Sequence, residues 1–314
     1  MPSFEVHQIP WLPAAAALAM LLSISLPVQA QSTSAGTVFS ANAQVDNNEA
    51  YSLTAGLDHA FTEATWLRLM AARVETADES GGGSTTRAAV GLDHYFDPAG
   101  LAFDVEYWGD SDAIETLALS GEVYYRGANA RFALTAAYRD IELKFEVPDA
   151  LRNLVAADQT VAATSLGVRY RYSWQAVSAY ASASAWDYDE ALGEIASNVD
   201  LSRVPPALRP AIQQRLTRVI DAVRFQSTST LTLANSLLAR SASVGIDYAF
   251  GRQSLNLEVG HDRGEIDDID VNSLSAGWLF PASDAVDIEI RAGVSDSDEY
   301  GSGAFGGISM YVYR

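Results

Sequence analysis

The sequence predicts an all-β chain: an antiparallel β-barrel of about fourteen strands that crosses a membrane, with short turns at one end and longer loops at the other. Three observations predict it. Apolar side chains fall on every second position through most of the chain, one strand phrase recurs with an aromatic at the same end, and charged residues keep to one parity within a strand.

The clearest stretch is RAAVGLDHYFDPAGLAFDVEYWGD at 87–110, two alternating runs joined by a turn built on Asp97, Pro98 and Gly100. In the first run Ala88, Val90, Leu92, His94 and Phe96 share one face, and Ala89, Gly91, Asp93 and Tyr95 share the other. The phrase returns as SLTAGLDHAF at 52–61, SASVGIDYAF at 241–250 and, more loosely, SLSAGWLF at 273–280. Each copy ends in Phe beside a short turn, which predicts a closed sheet with an aromatic ring at one rim. A soluble β-sandwich or a lipocalin-like barrel also alternates, so the hairpin alone leaves those open.

The chain has 314 residues, 48% of them hydrophobic, with no Cys and a formal net charge of -20. Its one candidate for a long apolar run is 14–26, followed by Pro27, Val28, Gln29 and Ala30, which predicts an export signal over 1–30, cut after Ala30. Residues 1–13 hold no Lys or Arg, so a membrane anchor is the alternative. Lack of Cys fits passage through an oxidising periplasm without disulfides. Strong acidity argues against nucleic acid as a partner, because phosphate binding needs a basic face.

Taken in order, strands are expected at 37–44, 51–61, 66–74, 87–96, 101–110, 117–126 and 131–142, then at 164–172 and 176–186. The remainder are expected at 239–250, 255–262, 273–280 and 286–294, with a last strand ending in Tyr311, Val312, Tyr313 and Arg314. Short turns at 127–129, at Ser173 and Trp174, and at 251–253 alternate with longer loops at 77–86, 144–159 and 265–270.

Charge placement tests the alternation. A lipid-facing Arg at mid-bilayer costs roughly 2 to 4 kcal/mol, so charges should keep to the other face. Arg131 and Arg139 lie opposite in parity to Phe132, Leu134 and Tyr138; Asp104 and Glu106 lie opposite Phe103, Val105 and Tyr107; Asp287, Glu289 and Arg291 lie opposite Ile288 and Ile290. A soluble barrel would reverse the faces, with apolar residues inside.

The alternating strands, the YFDP hairpin phrase and the aromatic-rich last strand resemble porin-like outer-membrane β-barrels of Gram-negative bacteria, over the whole of 31–314. The resemblance implies outer-membrane localisation, contact with lipid and lipopolysaccharide, and insertion by the outer-membrane assembly machinery, which reads a terminal aromatic. This chain departs from that pattern by ending in Arg314, with Tyr313 one place early, so the register of the last strand is open. No hairpin shows a trimer-forming face.

A barrel of this size has a backbone diameter of roughly 28 Å and a lumen of about 15 Å. The expected pore-lining set is Arg126, Arg131, Arg139, Arg169 and Arg171 on one side, with Asp93, Asp104, Glu106, Glu122, Glu258, Asp287 and Glu289 from other strands. Opposed basic and acidic walls would set a transverse field, as general porins do by resemblance; local pairing of these charges is the alternative. The segment 190–238 is too long for an idle connection. Within it Leu208, Ile212, Leu216, Val219, Ile220 and Val223 share a helical face, with Arg209, Arg215 and Arg218 elsewhere, which predicts a helix that caps the barrel mouth or constricts and plugs it. Its opening VPPALR at 204–209 echoes VPDALR at 147–152.

No phosphate loop, nucleotide fingerprint or His/Cys metal cluster is present, so no cofactor or metal is expected. His59 and His94 fall on the lipid-facing parity near the aromatic rim, where a polar anchor is expected. His261, beside Asp262, is the one candidate base for a hydrolase. Acidic loops at 110–115, 265–270 and 296–299 match no defined cation loop and suit bridging to lipopolysaccharide through divalent ions. The expected function is therefore a non-enzymatic channel for small hydrophilic solutes. A non-conducting, loop-plugged surface protein is second and an outer-membrane hydrolase third.

Overall fold

The computed structural model describes residues 36–47, 50–76, 83–110, 114–144, 158–192, 206, 209–210, 237–266, 268–298 and 301–314. Fourteen strands run in chain order: β1 Thr37–Asp46, β2 Tyr51–Ala60, β3 Thr65–Thr76, β4 Gly83–Tyr95, β5 Ala99–Asp110, β6 Ile114–Arg126 and β7 Ala130–Lys144. They continue with β8 Asp158–Trp174, β9 Val177–Tyr188, β10 Leu238–Phe250, β11 Gln253–Gly264, β12 Asp270–Pro281, β13 Val286–Ser297 and β14 Gly301–Tyr313. Each pairs antiparallel with its sequence neighbours, and β1 pairs with β14, so the sheet is a closed barrel without a free edge. Closure satisfies every ladder, the condition for sheet backbone to cross hydrocarbon.

The seam explains the chain's unusual last residue. Thr37 and Arg314 exchange backbone hydrogen bonds of 2.7 and 2.8 Å, so pairing runs to the final residue. In that register Tyr313 pairs with Val38 on the inner face, Val312 pairs with Phe39 on the outer face, and the Arg314 guanidinium covers the Phe39 ring at 5.8 Å. The terminal aromatic points inward, and a cation on an aromatic takes its place at the outer rim.

The outer face carries an exposed apolar belt that includes Val90, Leu92, Phe103, Val123, Leu134, Leu166, Val244, Leu257 and Ile290. At the short-turn end the belt closes in aromatic pairs two residues apart: His59–Phe61, His94–Phe96, Tyr248–Phe250 and Trp278–Phe280, with ring centroids 4.4 to 5.9 Å apart. His59 and His94 are rim anchors, bonded to the Thr37 and Thr65 hydroxyls at 2.9 and 2.7 Å. An apolar belt ending in an aromatic girdle is the surface a bilayer requires.

Several strand ends differ from the sequence reading, that of β8 most. β7 runs on to Lys144, just past the expected 142, and β8 starts at Asp158, well before the expected 164, because polarity inverts at the loop end. There Asp140 and Glu142 face outward while Ile141, Leu143 and Val161 face inward and are buried, so the apolar-out rule stops marking the strand although the strand continues. The turn after β8 falls at 175–176, with Gln175 at φ 52°, so Trp174 belongs to the strand and Ser173 and Trp174 are not the turn. The export signal, most of the large loop and its expected helix, and the 147–152 echo lie outside the described residues.

Candidate functional site

The interior face follows from the pairing registers, since residues opposite an exposed belt residue by one place point inward. In the short-turn half, three arginines stand side by side on adjacent strands: Arg126 of β6 is directly opposite Arg131 of β7, which is directly opposite Arg171 of β8. Arg169 lies two residues from Arg171 on the same face. The Arg169 and Arg171 side chains are 67% and 51% exposed, although they point into the barrel, so water-accessible space adjoins them.

Tyrosines hold this row. The Arg131 guanidinium lies 4.2 Å over the Tyr124 ring, Arg171 lies 5.1 Å over Tyr180, and Arg126 lies 5.1 Å over Tyr95. Tyr124 lies flat across Gly100 of the neighbouring strand, and Tyr180 across Gly245; a Cβ at either glycine would collide with the ring. Gly100 was expected to serve the hairpin turn, but it sits inside β5 and makes room for Tyr124. The hydroxyls are pinned as well: Tyr124 donates to Asp93 and Tyr180 donates to Glu258, both at 2.6 Å.

The carboxylates behind the row are shared. Glu122, only 10% exposed, pairs with both Arg131 at 2.6 Å and Arg169 at 3.1 Å, and Asp247 pairs with Arg171 at 3.1 Å. No carboxylate among the described residues lies within ion-pair distance of the Arg126 guanidinium. In the circular strand order β13 lies across the barrel from β6 and β7; it carries Asp287 and Glu289, with Glu289 accepting from Tyr311 at 2.9 Å. Asp287 and Glu289 thus stand across from the arginine row, but Glu122, Asp247 and Asp93 lie on the row's own side, so acidic and basic residues share that wall.

Elsewhere the charges pair with near neighbours. Arg87 meets Glu106 at 2.6 Å, Arg68 meets Asp104 at 3.4 Å, and Arg291 meets Glu258 at 3.4 Å. The lumen ion pairs among the described residues are local ones at both ends, with Asp104, Glu106 and Glu258 partnering nearby arginines as Glu122 and Asp247 do. Arg139 departs from the other four expected arginines. It lies nearer the loop end, stacks on Trp186 at 4.3 Å, and keeps one guanidinium nitrogen buried without a hydrogen bond.

Beyond Arg139 the inner face of β5 to β8 is dry. Ile141 and Val161 are 0% exposed, Trp108 is 4% exposed, and Ile114, Leu143 and Ala163 are buried with them. Leu192 and Leu237, at the two ends of the long connection, are equally buried. Across the barrel the inner face of β9 to β14 is built mainly from small residues, such as Ser182 and Ser184, Ser241 and Ser243, and Ser273 and Ser275.

No protein-family model and no curated protein matches this sequence. Solved structures do. OmpT of Vibrio cholerae, an outer membrane protein solved with its loop L8 deleted, is 9% identical with a TM-score of 0.47, covering 89% of this chain and 98% of that one. An anion-selective porin from Comamonas acidovorans is 7% identical with a TM-score of 0.46, covering 89% and 98%. OccK10 (OpdN) of Pseudomonas aeruginosa is 10% identical with a TM-score of 0.43, covering 90% and 98%. The fold itself, a closed antiparallel barrel of fourteen strands, rests on the strand pairing.

The barrel carries most of the expected interior residues on its inner face but not the expected loop group. Arg209 is exposed, and Arg215 and Arg218 lie outside the described residues. His261 points outward at the loop rim, bonded to Asn272 at 3.0 Å and 3.7 Å from Asp270; no Ser or Thr hydroxyl among the described residues bonds to it. Among the described residues no group of His, Cys, Asp or Glu is placed to hold a metal ion. Sequence reasoning missed the tyrosine platforms and the alignment of the arginine row. The signal for one pairing lay in the tight turn at 127–129, whose length sets Arg126 opposite Arg131; the Arg131–Arg171 pairing joins β7 to β8 across the thirteen residues 145–157, whose length fixes no register.

Proposed function

We propose that this chain is an outer-membrane channel that passes small hydrophilic solutes by diffusion through the charged lumen, without catalytic chemistry. The carrying observation is the exposure of ionised side chains, Arg169 and Arg171 above all, on the inner face of a closed barrel. A guanidinium held half in solvent inside a barrel marks a water-filled space. The small Ser and Gly side chains of the β9 to β14 wall support a path displaced toward that wall.

A second reading, a closed and plugged barrel serving as a surface protein, draws on the buried apolar set at the loop end of β5 to β8. Single-channel recording of the refolded barrel in a planar bilayer separates the two. Stable open steps with an ion preference support the channel. A correctly folded, heat-modifiable barrel that stays silent overturns it in favour of the plug. An outward His261 with amide and carboxylate neighbours favours a rim position over a catalytic base, and His261→Ala is expected to leave barrel properties unchanged.

A further inference from the structure

The outer rim at the short-turn end carries one device twice. His59 is held through Nδ1 by the Thr37 hydroxyl at 2.9 Å and packs edge-on against Phe61; His94 is held by Thr65 at 2.7 Å and packs against Phe96. Each threonine stands directly opposite its histidine on the preceding strand, so the anchor fixes the ring and turns Nε2 away from it. Among the described residues no protein group bonds to either Nε2. With threonine donating to Nδ1 the neutral ring carries its proton on Nε2, and a charged ring carries one on both nitrogens, so in these states Nε2 presents a donor. The matching positions on β10 and β12 hold Tyr248 and Trp278, and the Trp278 ring N–H already donates to Gln253 at 3.0 Å.

The two copies differ in what lies across the threonine. Thr37 stands between His59 of β2 and Arg314 at the end of β14: it pairs with the first in the ladder and exchanges backbone hydrogen bonds with the second. Both side chains lean over β1, His59 onto Thr37 and Arg314 onto Phe39 two residues further along the same face. Their backbones are two strand spacings apart, about 10 Å, and their polar ends approach the one strand between them. In the other copy Phe61 takes the place of Arg314, its backbone N–H donating to Thr65 at 2.9 Å. No carboxylate side chain among the described residues lies within ion-pair distance of the Arg314 guanidinium, which stacks on Phe39 and keeps its N–H edges for an acceptor from outside the protein.

We propose that Arg314 and His59, meeting over Thr37 and Phe39 of β1, form a binding site for the phosphodiester of an anionic glycerophospholipid in the leaflet at the short-turn end. The guanidinium offers paired N–H donors that match phosphate oxygens, and His59 Nε2–H adds a donor from the other side. Above Phe39 the outer face of β1 carries Ala41 and Ala43 beside Met310 and Ile308 of β14, so an acyl chain rising from this headgroup meets a strip lower than its flank. A zwitterionic lipid brings an ammonium group to a place with donors and no carboxylate side chain to receive it, which sets the preference for a lipid of net negative charge. An aromatic girdle alone makes no such choice among headgroups.

The test is native mass spectrometry of the full-length barrel, refolded in detergent and titrated with phosphatidylglycerol and, separately, with phosphatidylcholine of the same acyl chains. The first phosphatidylglycerol adduct is expected to form at least tenfold more tightly than the first phosphatidylcholine adduct. That preference is expected to vanish in Arg314→Gln/His59→Tyr, where tyrosine keeps the rim aromatic as Tyr248 does. Arg314→Gln alone leaves the backbone exchange with Thr37 in place and is a second probe, expected to weaken phosphatidylglycerol several-fold. His94→Tyr, in the copy without an arginine, and Arg252→Gln, a rim arginine paired with Asp284, are expected to change it less than twofold. Equal affinity for the two lipids, equal affinity in wild type and the double variant, or equal losses in His59→Tyr and His94→Tyr overturns the site. Glycerol 3-phosphate at matching concentration is expected to displace no lipid; full displacement would make the ligand a soluble phosphate and overturn the lipid assignment. Adduct formation needs no ion flow, so the result stands apart from whether the barrel conducts.

Discussion

The two ends of β6, β7 and β8 share an inner face and share almost nothing else. Toward the short turns that face carries Arg126, Arg131 and Arg171, each over a tyrosine ring, and Arg169, with Arg169 and Arg171 open to water. Toward the loops it carries Ile114, Ile141, Leu143 and Val161, with no exposure above 1%. The outer face changes in the opposite sense, from Val123, Leu134 and Leu166 in the belt to Glu115, Glu142 and Lys144 above it. A single strand thus serves two solvents. Within the belt it obeys the rule of a lipid-embedded barrel, polar inside, and beyond it the rule of a soluble barrel, apolar inside.

The largest expected effect is a charge placed in the dry end. Ile141→Asp buries a carboxylate without a partner and is expected to cost about 3 kcal/mol or more, read as a lower urea midpoint of the folded barrel. Val123→Arg, outward in the belt, is expected to cost roughly 2 to 4 kcal/mol in the same assay, fading if moved toward a rim. Gly100→Val drives a side chain into the Tyr124 ring and is expected to cost about 1 to 3 kcal/mol, which would also loosen Arg131. By contrast Arg169→Gln, in the wet end, is expected to change stability by less than about 1 kcal/mol while shifting ion preference toward cations. If Arg169→Gln proved as damaging as Ile141→Asp, the division of the interior would fail.

The smallest effect concerns Glu265, in the turn after β11. Burial, followed by the nearby Asp268 and Asp187 charges, raises its carboxyl above the ordinary range. The folded state then binds a proton more readily than the unfolded state, so the penalty is absent below the unfolded value and full above the folded one. Glu265→Gln is expected to raise the urea midpoint slightly at neutral pH and to leave it unchanged in acid. A gain of equal size at both pH values would contradict the assigned cause.

The barrel was legible because lipid enforces period two so strictly: Leu101, Phe103, Val105 and Tyr107 could be placed outward from the sequence alone, and all are exposed in the structure. The same rule hid the loop end. At 140–144 and 158–163 the sequence still alternates, with Ile141, Leu143 and Val161 opposite Asp140 and Glu142, but the faces have exchanged character, and an apolar-out rule stops the strands at 142 and 164. Gly100 was misread for a similar reason, since a glycine two residues after Pro98 suggests a turn, and its partner Tyr124 lies on the next strand. Cross-strand neighbours are invisible to a pattern read along one strand. The facing of Arg126 and Arg131 required the turn length as well as the parity, and that of Arg131 and Arg171 required the β7–β8 register, which a long connection leaves open.

The division of the lumen is tested most directly by chemical access, which the absence of cysteine makes simple. Single variants Arg169→Cys and Val161→Cys, in the folded barrel, are exposed to a small water-soluble methanethiosulfonate reagent and the labelling rates are compared. The account predicts rapid labelling at position 169 and protection at position 161 until the barrel is denatured. Equal, rapid labelling at both positions would show one continuous water-filled lumen and contradict it.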